Sequence, residues 1–478
     1  AQLLYCMLMA CLMHVVIGTI AGLPGVILPQ MTDPESPDLF LDTKQVALFG
    51  SLIHIGAAVG SLGSGVVSIH LGQRVSLLVA MPFSLVMCLA LSFTPKVWLL
   101  LLLRTVQGLT QCLIAAASNN YIAEVSESHL RGRLMGFTVV GRQSGFLLVY
   151  IIGSLDMSWR HIILVCACVT AIPPFIGLFF LPNSPRWLVT RGRLEEARKA
   201  LVFFRGPRYD SQPEFDDIVH QFKETTSNNT SFVSQLRQTR EQSVLRRLLL
   251  LIFLMVLLQF NGNMSILTYV VPIFQASNSG MNSYTSAILV GSIQVTGTIV
   301  SLLVVDRLGR KYTIIVPSVI CSVSMMTLGV YFYLLNQGVD VSNIGWLPLA
   351  AIMIFTAFVS AVDSSVSLLR AELLPNSVRA FATSILYIFF FASLFVVIQT
   401  FPLMVKTFGE DGVFWIYSVC CLLLALVVAI FLQETRGLSL EEIDNLFRHG
   451  KKHLINKLNN LLPAKETGNM EKKSRIVT

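Results

Sequence analysis

Apolar residues along this chain come in long runs separated by short polar punctuation. A helix that crosses a bilayer needs about 20 predominantly apolar residues. Twelve runs reach that length, at about 5–29, 46–68, 76–94, 97–122, 135–155, 160–181, 247–275, 284–305, 312–335, 346–370, 380–404 and 412–432. Backbone amides in lipid must bond within their own segment, so these runs predict helices. The ten-residue alternation of a transmembrane barrel is absent from them. The pattern therefore predicts an all-α membrane protein of twelve spans. No cleavable leader is read at the start, because the first run has full spanning length and no basic residues before it. The chain begins with Ala1 rather than Met, so a further segment upstream is expected.

Composition agrees with the pattern. The chain has 478 residues, 54% hydrophobic and 13% charged, where a soluble domain carries about 25% charged residues. The net charge of +8 does not point to nucleic acid, because the basic residues collect in connections between apolar runs. Four stand in odd-numbered connections: Lys44, Lys96, Arg160 and Lys406. Most of the others stand in the even-numbered ones (70–75, 124–134, 182–246, 306–311, 371–379) or in the tail 434–478. The positive-inside rule makes the even connections and both termini cytosolic, in a multi-pass protein expected in the plasma membrane. The sequon Asn228-Asn229-Thr230 would then face the cytosol and stay unused. All nine cysteines fall within apolar runs, which predicts small buried hydrophobes rather than disulfides or metal ligands. With no nucleophile–base pair, metal cluster or phosphate loop, no enzyme, metal or cofactor is expected.

Three polar features recur at a similar offset. Gly72, in Ile69-His70-Leu71-Gly72-Gln73-Arg74, lies 237 residues before Gly309, in Asp306-Arg307-Leu308-Gly309-Arg310-Lys311. Glu124 and Arg131 reappear 248 residues later as Glu372 and Arg379. Pro182-Asn183-Ser184-Pro185-Arg186 matches Gln433-Glu434-Thr435-Arg436-Gly437 at 251. Three coincidences in register predict a duplication: a six-helix half at 1–181, a polar connection at 182–246, a second half at 247–433 and a tail at 434–478. Parallel halves of this kind belong to carriers whose site lies between them at the midplane.

These same segments resemble the sugar porter branch of the major facilitator superfamily. Pro182-Asn183-Ser184-Pro185-Arg186-Trp187-Leu188, Glu434-Thr435-Arg436-Gly437-Leu438-Ser439, Arg104-Thr105-Val106-Gln107-Gly108 and the run from Tyr121 to Gly132 carry the likeness, over nearly the whole chain. Facilitated trehalose or glucose transporters of arthropods are similar to it. The resemblance implies facilitative sugar transport by alternating access, with a sugar and the bilayer as partners. It also implies a cytosolic latch of ion pairs, built from Arg74, Glu124, Arg131 and Arg186 in the first half. In the second half the set is Asp306, Arg307, Arg310, Glu372, Arg379, Glu434 and Arg436. The first copy lacks the family's acid and one arginine, having Ile69 and His70 there, and Asn183 replaces a glutamate. A looser first-half latch is expected, with a balance shifted toward the inward-open state.

Sugars need amides and hydroxyls beside aromatic faces. Gln143 matches the family's sugar-binding glutamine on span five, and Tyr150, seven residues on, shares its helix face. On span seven Leu258-Gln259-Phe260-Asn261-Gly262-Asn263-Met264 keeps one family glutamine, Gln259, with Asn261 and Asn263 as substitute contacts that would face elsewhere on a regular helix. Gln294 stands on span eight where the family has asparagine. Span ten lacks the family's Gly-Pro-x-x-Trp and has Asp363 within a serine-rich run, and span eleven has Phe390 in place of asparagine. A carboxylate at this depth must be neutral, paired or facing water. Asp363 is read either as a substrate contact paired with Arg142 or as the cap of a helix break. Arg104 matches a family arginine with a packing role. Span one holds no Asp or Glu, which favours uniport over proton coupling, and His14 is its one group titrating near neutrality. The polar connection reads as short amphipathic helices that tether the halves. The changed contacts at Leu258, Met264 and Phe390 leave open a less polar organic solute, or a non-transporting sugar sensor on the same fold.

Overall fold

The computed structural model describes residues 2–34, 38–127, 131–206, 209–227, 242–374 and 379–432. Every regular element among them is helical. Spans two to six are Thr43–Leu71, Gln73–Phe93, Val97–Val125, Arg131–Gly153 and Trp159–Leu178. Spans eight to ten are Ser283–Leu308, Tyr312–Asn336 and Leu347–Leu373. The final helix, Arg379–Phe431, has 53 residues. Straight, it would run about 80 Å at 1.5 Å per residue, more than twice a hydrocarbon core. It folds at Gly409, whose φ is 74° and ψ 168°. Phe401 and Tyr417, placed symmetrically about that glycine, stack with centroids 6.5 Å apart. The element is therefore spans eleven and twelve, and the count reaches twelve.

Spans one and seven are interrupted, which the apolar pattern concealed. Span one is Gln2–Gly22 followed by Pro24–Met31, with Pro24 opening the second segment. Proline is tolerated in a first helical turn because its missing N–H would be unpaired there anyway. Span seven is Gln242–Gln259, Asn263–Thr268 and Val270–Ala276. Its first break is set by Gly262 at φ +86°. A Cβ there would meet the Tyr417 ring at 2.2 Å. The Asn261 side chain completes the turn, its Oδ1 accepting from the Asn263 backbone N–H at 2.8 Å.

Small residues bring backbones together inside the first half. A Cβ on Gly18 would fall 1.8 Å from the Arg142 carbonyl oxygen, which fixes span one against span five. A Cβ on Gly56 would meet the Thr105 carbonyl oxygen at 1.8 Å, and one on Gly108 would meet that of Ile53 at 1.9 Å, fixing span two against span four. Membrane helices gain little by associating hydrophobically in lipid, so such close packing is their main attraction.

Spans five and eight run along one another, as do spans two and eleven, and these pairs join the halves. Further bonds close the seam on the face opposite the basic connections. Ser51 Oγ donates to Gln399 Oε1 at 2.6 Å, and the Tyr150 hydroxyl donates to the Leu267 carbonyl at 3.0 Å.

Beyond span six come three short helices, Pro185–Thr190, Leu194–Arg205 and Gln212–Ser227. They share a small apolar core of Leu188, Val189, Ala197, Ala200, Leu201 and Ile218. Their described hydrogen bonds to the spans go to the first half. Trp187 Nε1 donates to the Ile69 carbonyl at 3.0 Å, Arg191 Nη2 to the carbonyls of Ile69 and His70, and Arg205 Nη1 to that of Val125 at 2.9 Å. The sequon at 228–230 and the tail 434–478 lie outside the described residues.

Candidate functional site: an amide seam between the halves

Gln143 and Gln294 are both buried and meet across the halves. Gln294 Nε2 donates to Gln143 Oε1 at 3.1 Å. Gln294 Oε1 is itself buried without a donor, and so is Asn263 Oδ1 just after the break in span seven. A buried acceptor left unmade costs about 1–3 kcal/mol. Gln259 ends the first segment of span seven, and its Nε2 reaches only the Met255 carbonyl, at 3.5 Å. Gln294 Oε1 and Asn263 Oδ1 are thus buried acceptors without a donor, suited to a ligand that brings hydroxyl donors.

An aromatic wall stands beside the broken span seven. Tyr269 stacks on Phe401 at 4.9 Å between centroids and 12° between planes, and Phe401 continues to Tyr417. The Tyr417 hydroxyl donates to Ser265 Oγ at 3.2 Å, which ties the wall to the broken span. Tyr150 shares the Gln143 face as its spacing predicts, but its hydroxyl is engaged by Leu267. Its bond across the halves closes the seam. The aromatic wall was not anticipated in the sequence, because Tyr269, Phe401 and Tyr417 meet only once span seven breaks and the last helix folds back.

Asp363 is half-buried on span ten, which runs unbroken through the serine-rich stretch. The helix-break reading is therefore corrected. Ser360, Ser364 and Ser365 satisfy themselves by donating to carbonyls four residues earlier, at 3.0, 2.8 and 2.8 Å. That pattern lets serine sit inside a helix without capping anything. Ser364 also meets Ser301 Oγ of span eight at 2.8 Å. Arg142 and Asp363 act on each other electrostatically but are not in contact. Phe390 packs edge-on to Phe391 and Tyr387, and Leu258 lies in the apolar core of the second half. Arg104, with no exposed surface, donates to the carbonyls of Phe49 and Ile20 and to Gln107 Oε1, and lies over the Phe49 ring at 4.7 Å. This binds spans one, two and four together.

On the basic face, the charged residues that are described bond mainly to helix ends. Arg74 donates to the carbonyls of Leu178 and Phe179 at 3.1 and 3.0 Å, at the end of span six. Lys311 Nζ does the same for Ala429 of span twelve at 2.8 Å. A cation at a helix C-terminus satisfies orphan carbonyls and complements the helix dipole. Glu124 Oε1 accepts from Gln73 Nε2 at 2.6 Å, and the exposed Arg186 attracts it. Gln73 was not singled out in the sequence. Arg307 is exposed and Arg310 half-buried. The side chains of Arg131, Asp306, Glu372 and Arg379, and all of Glu434 and Arg436, lie outside the description.

A family model described as sugar (and other) transporter matches residues 5–447. The chain belongs to this transporter family. It is 31% identical over 434 residues to the facilitated trehalose transporter Tret1 of Polypedilum vanderplanki, covering 90% of this chain and 84% of that one. It is 30% identical over 435 residues to a facilitated trehalose transporter Tret1-2 homolog of Drosophila sechellia, covering 91% and 88%. Among solved structures, the xylose transporter XylE from E. coli in a partially occluded inward-open conformation superposes with a TM-score of 0.76 at 23% identity. That match covers 92% of this chain and 99% of the other. The transporter's fold is accordingly that of the major facilitator superfamily, an integral membrane protein with many spans.

Proposed function

We propose that this family member carries a sugar, such as glucose or trehalose, across a membrane by facilitated diffusion and alternating access. The observation that carries the reading is the Gln143–Gln294 bond between the halves, flanked by the unpartnered acceptors Gln294 Oε1 and Asn263 Oδ1. A sugar hydroxyl is the donor these oxygens lack, and the wall of Tyr269, Phe401 and Tyr417 offers an apolar face to a sugar ring. Its relatives named as facilitated trehalose transporters support the same substrate class. Span one carries no carboxylate, which supports uniport.

The basic connections are read as cytosolic, in the plasma membrane, with both termini on that side. The seam is bonded on the opposite face, so the arrangement is inward-facing. The division at 1–181, 182–246, 247–433 and 434–478 supplies two rocking halves, their connection and a tail. The paired charges on the basic face, including those whose side chains are not described, serve as the latch of the outward-facing state.

The test is uptake of labelled glucose, trehalose and xylose into proteoliposomes, with Gln143→Ala and Gln259→Ala as controls. Saturable uptake that dissipates with the gradient and weakens in both variants is expected. Folded protein that moves none of the three sugars, or moves them equally well in both variants, would defeat the reading.

A further inference from the structure

Two opposite charges stand one on each half, each beside a residue that contacts span eight: Gln143, after Arg142, bonds Gln294, and Ser364, after Asp363, meets Ser301. Arg142 precedes Gln143 on span five, and Asp363 lies on span ten; both are half-buried. Among the described residues neither side chain makes a hydrogen bond, and no N···O approach within 4.0 Å joins them. Each nevertheless feels the other's charge. The other titratable groups near them are His14 of span one and Tyr387 of span eleven, beside Arg142, and Cys321 of span nine, beside Asp363. None of these is a carboxylate. His14 already bonds the Ala10 carbonyl through Nδ1 at 2.9 Å. Arg370, also on span ten, bonds Ser367 Oγ and lies over the Tyr387 ring at 4.7 Å. Among the described residues, Asp363 is thus the one carboxylate acting on Arg142.

A bare charge at membrane depth costs several kcal/mol unless it is solvated or paired. In the proposed inward-facing arrangement, partial exposure lets water solvate both groups. Alternating access must later shut that face, and the solvation is then lost. Two desolvated charges on opposite halves have one inexpensive outcome, which is to meet. Building on the proposed transport cycle, we infer that Arg142 and Asp363 form a direct ion pair between the halves when the seam closes at its basic face. The pair is a gate contact inside the membrane, separate from the ion pairs on the basic surface. It also keeps the closed cavity electrically neutral, which suits an uncharged polyhydroxylic solute.

The experiment has two arms. In the first, the full chain carries R142C/D363C and a protease site within 228–241, between the halves. Mild oxidation in membranes is expected to hold the two fragments together after cleavage, through a bond that reductant releases. In the second, sugar exchange is compared in proteoliposomes. Arg142→Gln and Asp363→Asn are each expected to slow exchange by about tenfold or more, because one charge is left without its partner. The charge swap R142D/D363R is expected to return most of the loss. Absence of the cross-link, or a swap no faster than the single variants, overturns the inference. Where a single variant fails to reach the membrane, the swap is compared with wild type, and a swap as fast as wild type supports the pair. A wild-type protein that moves no sugar refutes the proposed function instead, while the cross-link still reports whether the two positions meet.

Discussion

Gln294 uses one end of its amide and leaves the other idle. Its Nε2 bonds Gln143, and its Oε1 is buried with no donor. Replacing it with leucine keeps the volume and removes both functions. A lost hydrogen bond of roughly 1–1.5 kcal/mol corresponds to about a tenfold change in affinity. Gln294→Leu is therefore expected to raise the half-saturating sugar concentration about tenfold, read from initial uptake rates. Gly262 tests a different residue-scale constraint. At φ +86° and with the Tyr417 ring 2.2 Å from the place of a Cβ, Gly262→Ala adds backbone strain to a clash. A loss of roughly 2 kcal/mol or more is expected, seen as a lower thermal midpoint in detergent. Gly63→Ala is the control, because a Cβ there would meet nothing within 4 Å. That variant should be neutral or slightly stabilising.

Elements in this protein are also tied at their ends. On the basic face Arg74, Arg191, Arg205 and Lys311 each cover the terminal carbonyls of a span. On the opposite face, one clamp joins the span one–two connection to spans three and six. Arg160 grips Asp38 through Nε and Nη2 at 2.9 and 2.8 Å, donates to the Ser92 and Thr94 carbonyls, and lies over the Trp159 ring at 4.3 Å. The hydrogen bonds from Arg160 hold the Asp38 carboxyl below the usual carboxylate range. A depressed acid stabilises fully above its ordinary pKa, and that stability fades as pH falls through the folded value. Both partners are partly exposed, at 25% and 35%, so the contribution is modest. Asp38→Asn is expected to lower the thermal midpoint at neutral pH. The gap from wild type should narrow on acidification below about pH 4, in a series of melts across pH.

At the scale of the whole molecule, the two halves are balanced by few bonds, so single changes shift the balance. Ser51–Gln399 and Tyr150–Leu267 must break for the sealed face to open. Each is worth about 1 kcal/mol, or roughly a fivefold change in a two-state population. Ser51→Ala is expected to enrich the state open on that face. Spin labels at Thr32 and Asn278, beyond the ends of spans one and seven, should show a longer-distance component that wild type lacks. An unchanged distance distribution would count against this bond as part of the seal. Tyr150→Phe should act in the same direction.

The lengths of the apolar runs determined that this chain is a bundle of membrane helices, because lipid leaves the backbone no other way to bond. The recurring turn at Gly72 and Gly309 was also legible, and both glycines sit at left-handed φ, 82° and 89°, directly after a span. Gln143 and Gln294 were each recognisable as candidate sugar contacts in the resemblance, from their places on spans five and eight, but their bond to each other was not. Tertiary structure decided the rest. The break at Gly262 is invisible in an apolar run, because it depends on a tyrosine 155 residues away pressing on the glycine. The role of Arg74 was read as a partner of carboxylates, whereas its described bonds go to carbonyls, a choice made by where span six ends. Which amide oxygens stay unpaired depends on how the two helical halves are tilted. A linear pattern of polar and apolar residues fixes each helix's depth and face, but it carries no information on the tilt between the halves.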